Sequence, residues 1–176
     1  MIHGYLSLLD AVNRVVCWII GVMFGLATLA VLIQVGVRFV LPAIGFVVSA
    51  PWTEEMARYL VAWSVFLGVG ALCRNARLIA VEFFTHILPH PYGWALRVVS
   101  VILTGFFFVC LLRTGIDWTA MSAIEASPVM RLPMSWVYAS MPVGSALAIL
   151  NLVGFMAASL TGVGDSRVHA TEVAGD

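Results

Sequence analysis

Residues 15–37 read VVCWIIGVMFGLATLAVLIQVGV, a run of twenty-three residues without a charge between Arg14 and Arg38. As a helix this run is about 34 Å long at 1.5 Å per residue, which is enough to cross the roughly 30 Å hydrocarbon core of a bilayer. Asp10 lies just upstream, where a signal peptide would carry a purely basic segment. The run therefore predicts a retained transmembrane helix.

The composition extends this prediction to the whole chain. Apolar residues make up 62% of the 176 residues and charged residues 10%, whereas soluble proteins contain about 45–50% and about 25%. A soluble enzyme is excluded, because a soluble domain of this size needs far more polar surface. Nine basic residues balance nine acidic ones, so the chain lacks the excess of cations that a nucleic-acid partner requires. We interpret residues 1–176 as a single membrane domain.

Segments with few charges predict four spans, at about residues 15–38, 52–73, 92–112 and 132–160, followed by a polar tail at 165–176. The predicted fold class is an all-α integral membrane protein with four transmembrane helices in a bundle. An even number of spans places both termini on the same side of the membrane. If that side is the cytoplasm, the inner segments carry five arginines and the outer segments four, which favours cytoplasmic termini under the positive-inside rule.

The residues that could carry chemistry form no recognisable site. The three cysteines are not in CxxC pairs, and the four histidines lie outside the predicted spans, where they could not ligate a haem within the bundle. The carboxylates that share one aqueous side in this topology have no histidine beside them: Glu54, Glu55, Asp117 and Glu125. We therefore expect no catalytic, cofactor-binding or metal-binding residues, and no enzyme activity.

The few polar residues predicted at mid-membrane depth are neutral. No Asp, Glu or Lys lies there, so we expect no transport site within this chain alone. We expect the neutral side chains to form hydrogen bonds between helices: Thr28, Gln34, Ser64, Thr104 and Asn151. Two pairs of small residues at four-residue spacing, Gly21 with Gly25 and Gly144 with Ala148, suit close helix packing or arise by chance in this composition.

Residues 51–59, PWTEEMARY, form the densest group of polar residues next to a predicted span. Thr53 has the residue type of an N-cap, and Glu54 and Glu55 suit the positive end of the helix dipole. Arg58 can reach either carboxylate along one helix face. Two interpretations stay open, namely a capped helix with a local ion pair or a contact site for a partner subunit. Local physics favours the first, because a pair within one helix satisfies itself.

The same residues carry a family resemblance. The run WTEEMARYL at 52–60, followed by Trp63 and by FLG at 66–68, resembles the small membrane subunit of TRAP transporters, the DctQ-like family. That family has the pattern W-x-E-E-x-x-R-Y, then W-x-x-F-L-G and a basic turn, which Arg74 matches. The next segment of the family, H-I-x-V-D, corresponds to residues 78–82, where Leu and Glu replace its first and last residues.

The resemblance continues into the fourth predicted span. Ser127 and Pro128, LPM at 132–134 and MPVG at 141–144 are similar to the family's entry to that span. The similarity covers about residues 15–160, with the order of the motifs preserved.

The resemblance implies a non-catalytic small subunit of a tripartite, sodium-coupled importer of organic acids in the bacterial inner membrane. The implied partners are a large permease subunit, for which this chain is the scaffold, a periplasmic substrate-binding protein and membrane lipid. The candidate subunit-interface residues are Trp52, Glu54, Glu55, Arg58, Trp63 and Arg74. The alternative is a self-sufficient four-span carrier that works as a homodimer, although small carriers of that kind rely on an acidic residue in the first span, and residues 15–37 contain none.

Overall fold

The computed structural model describes residues 2–45, 49–75 and 90–160. Most of these residues are helical, and the elements are α1 (Ile2–Val35), α2 (Pro51–Leu72), α3 (His90–Met121), the short α4 (Ser135–Tyr138) and α5 (Ser140–Leu160). Helix α1 continues through a π-helical segment, Gly36–Val40, and a last turn, Leu41–Ala43. A 3₁₀ turn, Cys73–Asn75, follows α2.

Four helical segments within the described ranges are long and apolar enough to cross a membrane: Gly4–Ala43, Pro51–Leu72, Val98–Met121 and Ser135–Ala158. The predicted all-α membrane fold with four spans is thereby confirmed. Within residues 132–160 two helices, α4 and α5, follow one another, and α3 continues past residue 112. The tail at 165–176 lies outside the described residues.

Proline positions fit the beginnings of two helices. Pro51 is the first residue of α2, and Pro142 lies in the first turn of α5. Proline is tolerated there because the first backbone N–H groups of a helix have no partner within it. The two prolines therefore favour helix starts at these points.

The helices pack principally as a row in the order α1, α2, α5, α3. Helices α2 and α5 are central, and a buried cluster between neighbouring helices contains Cys73, Val101, Phe108, Ala148 and Leu152. The outer helices carry large exposed apolar side chains, such as Trp18 on α1 and Phe106 on α3, which are 74% and 68% exposed. Lipid tails or a partner helix can cover such faces, since both are apolar.

Helices α2 and α5 approach closely at Gly144. A Cβ atom on Gly144 would lie 2.5 Å from the carbonyl oxygen of Phe66, which is too close for any residue but glycine. Ala148, one turn later, is fully buried. Gly144 therefore packs α5 against α2, and Ala148 belongs to the buried cluster that contains Val101 and Phe108. Gly21 and Gly25 are not at such a contact, because a Cβ atom on either would meet nothing within 4 Å.

Candidate subunit-interface site

The beginning of α2 differs from the prediction that Thr53 caps it. The helix starts at Pro51, with Ala50 at the N-cap position. Thr53 lies in the first turn, is fully buried, and donates its hydroxyl to the carbonyl oxygen of Ala50 at 2.7 Å. The prediction is wrong because Pro51 has a backbone angle suited to a helix and starts it two residues before Thr53.

Glu54 and Arg58 form an exposed ion pair on α2. Arg58 Nη2 donates to Glu54 Oε1 at 2.7 Å, and the two side chains are 70% and 57% exposed, respectively. Gln34 Nε2 of α1 donates to the other oxygen of Glu54 at 3.4 Å. Exposed ion pairs contribute little to protein stability. Because both side chains are more than half exposed, both charges are accessible at the end of the row where α2 begins.

Glu55 has a different environment from its neighbour, because its carboxylate binds the loop between α3 and α4. Ser127 donates its hydroxyl to Glu55 Oε2. The backbone N–H groups of Val129 and Met130 donate to the two carboxylate oxygens at 3.1 and 3.0 Å. A carboxylate is well suited to this position, since ionised oxygens accept several hydrogen bonds at once. Glu55 thus fixes a loop that lies more than seventy residues later in the chain.

The loop at 122–134 is itself a compact hairpin. The Ser127 N–H donates to the Leu132 carbonyl oxygen at 2.8 Å, and the Met134 N–H donates to the Glu125 carbonyl oxygen at 2.9 Å. Arg131 has a φ of 52°, a left-handed conformation that residues other than glycine adopt uncommonly. Near the start of the loop, Ile124 is 95% exposed. The hairpin therefore presents an apolar side chain from a backbone that Glu55 holds in place.

The aromatic residues of α2 bind the segment that follows this hairpin. Trp63 donates its Nε1–H to the carbonyl oxygen of Trp136 at 3.1 Å. Tyr59 donates its hydroxyl to the sulfur of Met134 at 3.7 Å. Trp52, at the start of α2, is 44% exposed. Of the predicted interface residues on this helix, Trp63 therefore binds within the chain and Trp52 faces outward.

Arg74 follows the end of α2, at the opposite end of the helix from Trp52, Glu54, Glu55 and Arg58, whereas Trp63 lies near its middle. Its Nε donates to Asp10 Oδ1 of α1 at 2.9 Å, and its side chain is only 10% exposed. From Arg58 to Arg74 the chain rises about 24 Å at 1.5 Å per helical residue. The six candidate residues therefore do not form one surface, because Arg74 lies at the other end of the row from the group at the start of α2.

A buried amide network next to Arg74 joins three helices. Asn13 of α1 and Asn151 of α5 exchange two hydrogen bonds, at 2.7 and 2.9 Å. Asn151 Nδ2 also donates to the carbonyl oxygen of Gly70 in α2 at 2.9 Å, and its side chain is fully buried. Sequence reasoning missed Asn13 because it precedes Arg14 and so falls outside the predicted first span. The signal that could have found it is its position on the face of α1 that also carries Leu6 and Leu9.

The other mid-membrane polar residues follow the expectation in part. Gln34 bonds to Glu54 of another helix, as expected. Thr28 and Ser64 instead donate to carbonyl oxygens of their own helices, those of Phe24 and Leu60. A hydroxyl can satisfy itself in this way, whereas the longer amide side chain reaches a neighbouring helix.

Among the described residues no group of three or more His, Cys, Asp or Glu could hold a metal ion. The segment at 78–82, which carries part of the family pattern, lies outside the described ranges. The arrangement is therefore a set of helix-joining contacts with an exposed charged group at one end.

Comparison with known proteins connects this arrangement to a transporter family. The family model described as "Tripartite ATP-independent periplasmic transporters, DctQ component" matches residues 27–162. A curated relative, the "Isethionate TRAP transporter permease protein DctMQ" of Oleidesulfovibrio alaskensis, is 29% identical over 112 residues. The matched stretch is 60% of this chain but 17% of that relative. The chain thus spans only a small part of the length of the relative.

Proposed function

Since the chain belongs to the DctQ component family and is the small permease subunit of a tripartite ATP-independent periplasmic (TRAP) transporter, we propose that it is a static, non-catalytic scaffold for a large permease subunit. The observation that carries this proposal is the buried amide of Asn151, which bonds to both α1 and α2. Helices joined in this way resist sliding past one another. A chain of this kind suits the part of a transporter that stays still.

A large permease subunit is the partner that we propose. The relative from O. alaskensis bears the name DctMQ, and the stretch similar to this chain is 17% of its length. There the small component is part of a much longer permease protein. In the present case the exposed apolar side chains at the C-terminal end of α1, such as Leu32 and Val35, lie beside the exposed ion pair at the start of α2 and provide the surface on which a large subunit would pack.

The six candidate residues divide into two roles in this proposal. Trp52, Glu54 and Arg58 contact the large subunit, because they are exposed at one end of the row. Glu55, Trp63 and Arg74 position the elements around that contact, because their polar atoms bind within this chain.

The transporter that this subunit serves imports organic acids with a sodium gradient and a periplasmic binding protein. The chain lies in the bacterial inner membrane among lipids, with both termini in the cytoplasm. In that orientation the hairpin at 122–134 faces the periplasm. The substrate class is supported by the word isethionate, an organic anion, in the name of the relative.

Reconstitution tests the proposal. The chain would be co-expressed with a large TRAP permease subunit, and uptake of a panel of carboxylates and sulfonates would be measured in proteoliposomes with binding protein and a sodium gradient. We expect uptake to require both membrane subunits, the binding protein and sodium. Transport by this chain alone would support the homodimeric carrier and overturn the scaffold proposal.

Two variants that each remove one arginine test the proposed interface with the large subunit. Arg58→Gln should lower the yield of the complex with the large subunit and leave the isolated chain folded. The matched control is Arg113→Gln, which removes an exposed arginine from α3. Equal complex yields for both variants would remove the contact role assigned to Arg58.

A further inference from the structure

A shallow groove runs along the outward face of α1, on the side away from the other helices. It has a volume of about 390 Å³. Its lining residues are Arg14, Val15, Trp18, Ile19, Val22 and Met23. Arg14 is the first of these residues along α1, and the other five are apolar. The groove therefore has a charged end at Arg14 and an apolar surface along the rest of its length.

Arg14 is a cation without a partner among the residues that the structure describes. It is exposed, and no hydrogen bond or ion pair joins it to another described side chain. Asp10, one turn earlier, is bound by Arg74. An arginine near the end of a membrane span reaches the interface with its long side chain, where the negative surface potential of anionic lipids attracts it. The guanidinium of Arg14 is therefore available on the outer surface of α1.

Trp18 lies one turn after Arg14 and is 74% exposed. Tryptophan is enriched where the headgroups meet the hydrocarbon, because its ring is apolar and its N–H donates a hydrogen bond. Beside it, Gly21 and Cys17 line an adjoining hollow of about 460 Å³ that shares Arg14 and Trp18. A Cβ atom on Gly21 would meet nothing within 4 Å. The small residue therefore leaves the surface next to Trp18 open.

We propose that this groove binds a phospholipid with a net anionic headgroup, whose phosphate lies at Arg14 and whose acyl chain lies against Val22 and Met23. The charge complementarity carries the assignment, because a guanidinium can bind two phosphate oxygens at once. A zwitterionic headgroup brings its own cation near the phosphate, so a lipid such as phosphatidylglycerol is preferred over phosphatidylcholine. This site is independent of the transported substrate and of the scaffold role.

Lipid retention by the full-length chain tests the site. The wild-type protein would be exchanged into mixed micelles that contain phosphatidylglycerol and phosphatidylcholine, and the bound lipids would be counted by native mass spectrometry. We expect the wild type to retain phosphatidylglycerol preferentially. Arg14→Gln should reduce that preference about tenfold, as expected for the loss of a charged hydrogen-bonding partner. Arg14→Lys keeps the charge and should retain part of the preference.

A second variant tests the contact with the acyl chain independently of the contact with the headgroup. Gly21→Leu fills the open surface without a clash and should weaken retention of both lipids equally. The matched controls are Arg113→Gln and Gly105→Leu on α3, where a Cβ atom also meets nothing within 4 Å. Both controls should retain lipid as the wild type does.

Three results would overturn the proposal. The first is a wild type without preference between the two lipids, and the second is equal retention by the wild type and Arg14→Gln. The third is loss of a co-purified membrane protein in Arg14→Gln with lipid retention unchanged, which would make this face a protein interface. None of these measurements depends on uptake, so a failure here is distinguishable from a failure of the scaffold proposal.

Discussion

Glu55 accepts a hydrogen bond from the hydroxyl of Ser127, a residue 72 positions later in the chain. The motif at the start of α2 and the motif before α5 are therefore parts of one structural unit. Glu54, the preceding residue, is 57% exposed and pairs with Arg58. One residue along a helix is a rotation of about 100°, which places the two adjacent carboxylates in different environments.

The first prediction concerns this difference. Glu55→Gln replaces one acceptor oxygen by an N–H₂ group, which cannot accept hydrogen bonds from the loop. We expect the hairpin at 122–134 to loosen and trypsin to cleave after Arg131 several-fold faster. Limited proteolysis followed by mass spectrometry of the fragments measures the rate. Glu54→Gln is the matched control and should leave it unchanged. Equal rates in the two variants would contradict the role of Glu55 in holding the loop.

The second prediction concerns the amide network. Asn151→Leu leaves the Asn13 amide and the Gly70 carbonyl oxygen without their buried partner, which should lower the free energy of unfolding by about 1–3 kcal/mol. Denaturant unfolding in detergent measures this. Thr28→Val removes a bond within one exposed helix turn and should change stability by less than about 0.5 kcal/mol.

A double variant checks the coupling within that network. Asn13→Leu combined with Asn151→Leu should be less destabilising than the sum of the two single variants, because both partners of the pair are then removed together. Simple additivity would show that the two amides act independently.

The third prediction concerns the crossing of α2 and α5. Gly144→Ala places a Cβ atom 2.5 Å from the Phe66 carbonyl oxygen, so the helices must separate. We expect a loss of about 1–3 kcal/mol, which is typical of overpacking. Gly21→Ala meets nothing and should raise stability by up to about 1 kcal/mol through helix propensity. Thermal unfolding of both variants in the same detergent gives the comparison, and similar midpoints would refute the close approach.

The fourth prediction separates the two arginines of the candidate set. Arg74→Gln removes a largely buried cation that binds Asp10, and it should lower the melting temperature of the isolated chain. Arg58→Gln removes an exposed cation, and it should leave the melting temperature nearly unchanged. Melting curves of the chain without its partner measure the difference. If Arg58→Gln destabilised the isolated chain more than Arg74→Gln did, the assignment of the two residues would be reversed.

The class of this protein could be read from its sequence because the properties that decide it are local. An uncharged run such as residues 15–37 crosses a bilayer by its own length and hydrophobicity. The family resemblance, carried by contiguous motifs, is confirmed by the match of the DctQ component family over residues 27–162. Pro51 is a further local signal, because a proline at this position indicates a helix that starts two residues before Thr53.

The contacts were decided by tertiary structure, because identical local patterns have different neighbours. Arg58 can reach Glu54 or Glu55 by spacing alone, and only the approach of the hairpin commits Glu55 to Ser127. Gly21 with Gly25 and Gly144 with Ala148 have the same spacing, yet only Gly144 lies against another backbone. A spacing places side chains on one face of a helix, whereas the packing of the other helices determines what that face meets.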